Sequence, residues 1–120
     1  MSHKILVADD NTTSRELIRE VLEMSGYDVL EAADGRETIQ RVREGMPDLL
    51  LLDIQMPHLD GYGVLRELRA DPRLNNLRVV ALTAFAMHGD RERALDAGFD
   101  GYITKPVEIA ALRREVRKFL

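Results

Sequence analysis

Four consecutive leucines, Leu49 to Leu52, followed at once by Asp53, constrain this chain more than any other stretch. A strand with one wet face alternates apolar and polar residues. An unbroken apolar run of this length fits a strand covered on both faces, as in a parallel sheet. A carboxylate closes the run, and Ile54-Gln55-Met56-Pro57 turns the chain away. Open α/β sheets bind their ligands outside the carboxyl ends of central strands. Asp53 is therefore the first candidate functional residue.

The rest of the chain can be built outward from that strand. Ile5-Leu6-Val7-Ala8 predicts a first strand, and Leu17, Ile18, Val21 and Leu22 form the stripe of a first helix. Asn11 or Thr12 suits its N-cap and Gly26 its C-terminal stop. Val29 to Ala32 alternates like a strand nearer the edge. Asp34-Gly35-Arg36-Glu37 is a capping-box pattern opening a helix that turns Ile39 and Val42 inward. After the leucine strand, Val64, Leu65 and Leu68 mark a third helix that stops near Asp71-Pro72. Val79 to Leu82 predicts a fourth strand, and a helix from about His88 to Ala97 ends at Gly98. Its apolar stripe is thin (Ala94, Leu95, Ala97), so it should be the least firmly packed helix. Tyr102-Ile103-Thr104 is a short fifth strand, and Ile109, Leu112, Val116 and Phe119 give the last helix its stripe.

Five strand–helix units with right-handed crossovers predict an α/β, doubly wound, flavodoxin-like three-layer sandwich, strand order 2-1-3-4-5, as one domain over residues 1–120. The switch point between strands one and three brings Asp9, Asp10 and Asp53 to one crevice. Thr83 and Lys105 also fall at strand ends.

Composition removes several alternatives. There is no cysteine, hence no disulfide and no thiolate metal site. No apolar run approaches the ~20 residues of a membrane span, and no signal-peptide core is present. The cytoplasm is the expected location, with no membrane partner. Residues 1–60 carry 13 acids against 6 bases, while residues 61–120 carry 8 against 11. The acidic half suits a cation. No basic block of the kind that binds nucleic acid directly is present.

Three carboxylates in one crevice repel one another, and a hard divalent cation resolves the conflict. Taken singly, Asp9 and Asp10 also suit helix capping, Asp53 a turn, Thr83 an ordinary strand end and Lys105 a solvated surface. Gathered at one sheet edge, they suit phosphoryl transfer. A carboxylate supplies the nucleophile, a metal bridges, Lys105 neutralises equatorial oxygens and Thr83 donates a hydrogen bond. Lys105-Pro106 forms a tight turn compatible with a cis peptide.

At this point the sequence resembles the receiver domain of two-component response regulators. The resemblance rests on Asp9-Asp10, on Asp53 within Leu52-Asp53-Ile54-Gln55-Met56-Pro57, and on Asp60-Gly61. It continues through Leu82-Thr83-Ala84, Gly98 and Tyr102 to Lys105-Pro106. The segment from Thr83 to Asp90 looks like receivers of hybrid sensor kinases and of stand-alone regulators. The resemblance implies that Asp53 accepts a phosphoryl group from a phosphohistidine, so the partner is a sensor histidine kinase or a histidine phosphotransfer protein. It implies Mg²⁺, with Mn²⁺ as an alternative, held by Asp10, Asp53 and the Gln55 main-chain carbonyl, with Asp9 acting largely through water. No organic cofactor is implied. Thr83 and Tyr102 would report phosphorylation to the face of the fourth helix, fifth strand and fifth helix, where a downstream partner reads it. Gln55 departs from the more familiar Asn or Met.

Two other classes compete. An aspartate-nucleophile phosphohydrolase commonly needs a second acid two residues after the nucleophile, and Gln55 cannot titrate. An inert receiver-like interaction module would have no use for the full set of reacting groups. The start of the first helix (Thr12, Thr13, Ser14, Arg15), Met56-Pro57 and Pro106-Val107 form the expected rim for a phosphodonor protein. Gln55 and Phe85 should border the approach of a hydrolytic water to phosphorylated Asp53, Phe85 covering the phosphoryl group and slowing its loss.

Overall fold

The structure, a computed structural model, describes residues 3–84 and 89–120. Five strands alternate with five α-helices: β1 (Lys4–Ala8), α1 (Thr12–Met24), β2 (Asp28–Ala32), α2 (Gly35–Gly45), β3 (Leu49–Asp53), α3 (Gly61–Arg69), β4 (Arg78–Thr83), α4 (Asp90–Ala97), β5 (Gly101–Thr104) and α5 (Ile109–Phe119). A 3₁₀ turn, Pro72–Leu74, follows α3. The sheet is wholly parallel in the order β2-β1-β3-β4-β5, as the sequence predicts.

β3 is central and buried throughout. Its leucines divide between two cores because successive strand side chains point to opposite faces. Leu50 and Leu52 join α2, α3 and α4 through Ile39, Val42, Val64, Leu65, Leu68 and Ala94. Leu49 and Leu51 join α1 and α5 through Ile18, Val21, Leu22, Leu112 and Val116. Fully burying each leucine contributes roughly 1.5–3 kcal/mol, so β3 anchors both layers.

The helix starts follow the local chemistry. Asn11 caps α1, its side chain accepting from Ser14 N at 2.9 Å. Asp34 caps α2 by accepting from Glu37 N at 2.8 Å, while the Glu37 carboxylate reaches back one residue further, to Ala33 N at 3.1 Å. Asp60 caps α3 through Gly63 N at 2.9 Å. A Cβ on Gly61 would lie 2.7 Å from Ile54 Cα and 2.8 Å from Asp53 O. Only glycine lets the start of α3 pass this close to the end of β3.

α4 differs from these helices. It has no side-chain cap, is flanked by glycines in left-handed conformation (Gly89, φ 90°; Gly98, φ 114°), and buries only Ala94. Leu95, expected in its stripe, is 38 % exposed, and Ala97 is exposed as well. Two other expected core residues also lie outside it: Leu17 on α1 is 46 % exposed and Ile109 on α5 is 47 % exposed. In their place, Phe99 is buried just after α4 and meets Tyr62 edge-to-face at 5.7 Å.

Candidate functional site

The carboxyl ends of β1, β3, β4 and β5 converge on one crevice, and each delivers a polar side chain. Asp9 follows the last residue of β1. Its N–H donates to Ala32 O at 3.1 Å, and its Oδ1 accepts from Asn11 N at 2.9 Å. Asp53 ends β3, and its Oδ1 accepts from Gln55 N at 2.9 Å. Lys105 follows β5, placed by its N–H donating to Thr83 O at 2.7 Å. The Lys105–Pro106 peptide is cis.

Lys105 joins the two buried acids. Its Nζ lies 2.9 Å from Asp53 Oδ2 and 2.7 Å from Asp9 Oδ2. The contact with Asp9 is an ion pair whose direction falls short of a hydrogen bond, so Asp9 Oδ2 is buried with no hydrogen-bond donor among the described residues. Asp10 stands beside them, exposed, and one carboxylate oxygen from each of Asp9, Asp10 and Asp53 lies within 4.8 Å of the other two.

The electrostatics follow from burial. Asp53 is only 3 % exposed. Desolvation pushes its pKa up to about 6, Lys105 opposes this, and the Asp9 carboxylate adds to it. Burial alone would lower the Lys105 pKa, yet pairing with Asp9 and Asp53 raises it, so the amine stays protonated. Three ionised carboxylates and one ammonium leave a formal charge of −2. A divalent cation is the ligand class that neutralises this set, and all-oxygen donors suit Mg²⁺. The residues present therefore fit the metal implied by the resemblance.

Thr83, the last residue of β4, is buried, and its hydroxyl donates to Gln55 Oε1 at 3.0 Å. Tyr102 on β5 is half-buried, with its pKa raised by burial and then by Asp90. Between them lies a cavity of about 250 Å³ lined, among the described residues, by Ile54, Gln55, Tyr62, Thr83, Asp90, Arg93 and Tyr102. Phe85 and His88 lie outside the described residues.

All seven residues singled out from the sequence, Asp9, Asp10, Asp53, Gln55, Thr83, Tyr102 and Lys105, thus fall at or beside one crevice. Two rim expectations change. Met56 is buried, its apolar side chain joining the core that holds Val64, Leu65 and Leu68 of α3. Arg15 turns its guanidinium inward, where Nη1 donates to the main-chain O of Asp9 at 2.7 Å and Nε to Glu31 Oε1 at 3.1 Å. No sequence spacing signals either bond.

A doubly wound parallel sheet with an acidic crevice at its switch point defines a ligand-binding α/β domain, and the comparisons with known proteins make its class specific. Residues 5–117 match the model of the response regulator receiver domain, and the chain belongs to that family. It is 36 % identical over 120 residues to the polar-differentiation response regulator DivK of Brucella ovis, covering 100 % of this chain and 98 % of that one. It is similar, at 35 % identity and a TM-score of 0.90 over 99 % of this chain and 98 % of the other, to the receiver domain of a sensor histidine kinase from Pseudomonas aeruginosa. That crystal structure has a magnesium ion coordinated in its active-site cleft. The chemotaxis protein CheY4 of Vibrio cholerae, at 24 % identity, a TM-score of 0.93 and complete coverage of both chains, shares the fold. The protein is a signalling receiver of the two-component type rather than a conventional enzyme. No helix among the described residues is long and apolar enough to cross a membrane.

Proposed function

We propose that this receiver, one functional unit over residues 1–120, is switched by Mg²⁺-dependent transfer of a phosphoryl group from a phosphohistidine to Asp53. The observation that carries this reading is the placement of Asp53. It is a nearly buried carboxylate at the end of the central strand, held by Lys105 at 2.9 Å beside the carboxylates of Asp9 and Asp10. Asp10, Asp53 and the Gln55 main-chain carbonyl would hold the ion, with Asp9 acting largely through water; Mn²⁺ has the same donor preference. When bound, the ion supplies positive charge that offsets carboxylate repulsion and the charge on phosphoryl oxygens.

The chain's own groups do the rest. The ionised Asp53 carboxylate attacks phosphorus in line, forming an O–P bond as the N–P bond of the donor breaks and its electron pair returns to the imidazole. Lys105, already paired with Asp53, is placed to neutralise a phosphoryl oxygen. The Thr83 hydroxyl, which has one proton to donate, turns from Gln55 to the phosphoryl group. Tyr102 then moves toward the adjoining cavity, and α4, the least anchored helix, shifts with it. The face of α4, β5 and α5, with exposed Arg113, Arg114, Arg117 and Lys118 on α5, presents the change to a downstream protein.

The donor is a sensor histidine kinase or a histidine phosphotransfer protein. A depression of about 480 Å³ beside Lys105 supports this, because Leu17, Ala84, Pro106 and Val107 make its lining mostly apolar among the described residues, with Thr13 and Ser14 at its polar side. A phosphohydrolase reading lacks its acid at Gln55. A small phosphodonor with Mg²⁺ should add one phosphoryl mass to the wild type and none to Asp53→Asn, read by intact-mass spectrometry. An undiminished adduct on the variant would place the acceptor elsewhere.

A further inference from the structure

We infer that Arg15 is a positioning residue for the acidic crevice, acting through the main chain of Asp9 and held in place by Glu31. The inference rests on the reading that the crevice binds Mg²⁺. The β1 ladder ends at Ala8, so the carbonyl of Asp9 has no strand partner to accept from. Arg15, one turn into α1, supplies one: Nη1 donates to that oxygen at 2.7 Å. The same guanidinium donates through Nε to Glu31 on β2, at 3.1 Å. Glu31 also accepts from Arg19 Nη1 at 2.8 Å, and Arg19 in turn pairs with Glu23 at 3.2 Å. The pairing with Arg19 and Arg15 holds the Glu31 pKa down, against its partial burial.

The Asp9 carbonyl belongs to the peptide that joins Asp9 to Asp10. Fixing its plane fixes where the Asp10 side chain leaves the backbone. Asp10 is the exposed carboxylate of the cluster, and it has no burial to hold it. A guanidinium gives a directed, charge-assisted bond to a carbonyl, and its planar fork lets it serve Glu31 at the same time. Arg15 therefore sets the geometry of a proposed metal ligand without touching the metal.

Two effects of Arg15 on Mg²⁺ have opposite signs, which makes the inference testable. As a mere positive charge near a cation site, Arg15 would weaken Mg²⁺ binding, and its removal would tighten it. As a positioning residue, its removal must loosen it. Outer-shell partners of metal ligands are typically worth ~10–100-fold in affinity. The experiment titrates Mg²⁺ alone into wild type, Arg15→Ala, Glu31→Ala and Arg19→Ala, followed by calorimetry and amide NMR, with urea unfolding of each. Arg15→Ala should weaken Mg²⁺ about tenfold and shift the metal-free amide resonance of Asp10. Glu31→Ala, which leaves Arg15 full length but unguided, should weaken it less, and a variant combining Arg15→Ala with Glu31→Ala, titrated in the same way, should be no worse than Arg15→Ala. Arg19→Ala removes the same charge and a Glu31 partner yet should leave Mg²⁺ affinity near wild type. Unchanged or tighter binding in Arg15→Ala, or equal losses in Arg15→Ala and Arg19→Ala that track urea stability, would overturn the inference. In that case a wild type that still binds Mg²⁺ and accepts phosphate leaves the proposed function standing. A wild type that binds no Mg²⁺ overturns both.

Discussion

Gln55 touches both ends of the proposed switch: its N–H donates to Asp53 Oδ1 at 2.9 Å, and its Oε1 accepts from the Thr83 hydroxyl at 3.0 Å. Thr83 can donate its one proton to Gln55 or to a phosphoryl group on Asp53, and not fully to both. In the proposed switch the bond to Gln55 would act as a latch on the unphosphorylated state.

A net hydrogen bond of this type is worth about 0.5–1.5 kcal/mol, which corresponds to roughly two- to tenfold in an equilibrium. Gln55→Met keeps the main-chain groups and most of the side-chain volume but loses the amide acceptor. It should bind beryllium fluoride, a phosphoryl mimic, about two- to tenfold more tightly in the presence of Mg²⁺. Fluorine NMR titration reads the affinity. Weaker binding than wild type would show that Gln55 assists the phosphorylated state instead.

Asp53 links the site to stability. Its folded pKa, about 6, lies above its ordinary value of 3.8. A raised carboxylate contributes most to stability below the unfolded value, and that contribution is lost as pH rises through the folded one. At pH 7 and without metal the ionised carboxylate costs the fold on the order of 2–3 kcal/mol. Asp53→Asn should accordingly be more stable than wild type at pH 7–8, by about 1–3 kcal/mol in urea unfolding with chelator present. The advantage should shrink as pH falls from 6 towards 4. Saturating Mg²⁺ should narrow the gap at pH 7–8, because it binds the folded wild type. A variant less stable at every pH would mean that the Lys105 pair outweighs desolvation.

Much of this was legible in the sequence, for identifiable reasons. An unbroken Leu49–Leu52 run admits little but a strand buried on both faces, and Asn11 and Asp34 are residues whose side chains cap helices locally. Periodicity was less decisive at helix margins. Leu17 lies four residues before Val21 and Ile109 three before Leu112, so both match the stripe, yet both are exposed. A stripe fixes a direction but not how far the neighbouring elements reach. The Lys105 bridge to Asp9, the Gln55–Thr83 bond and the Arg15–Glu31 bond each join residues brought together only by the sheet order. No local propensity encodes them.

Asp10 is the exposed member of the cluster, so its loss should cost binding and not folding. Asp10→Asn keeps the shape and removes one charge from the donor set. It should weaken Mg²⁺ by about tenfold or more, while its urea midpoint without metal stays within experimental error of wild type. An unchanged Mg²⁺ affinity would reduce Asp10 to a loop residue beside the α1 cap.

The exposed Leu17 sits with Ser14, Pro106 and Val107 on the lining of the depression next to Lys105. An apolar side chain at 46 % exposure beside the proposed phosphoacceptor is what a helical donor protein needs for docking. Leu17→Glu and Val107→Glu each place a charge on this patch while leaving Asp53, Lys105 and the acidic cluster untouched. Transfer from a phosphorylated histidine-containing donor should slow by about tenfold or more, a loss of roughly 1.4 kcal/mol or above in transition-state affinity. Phosphorylation by a small donor should stay near the wild-type rate. Rapid-quench kinetics with both donors separates the cases. If both rates fall together the pocket itself has been disturbed, and if neither falls the donor docks on another face.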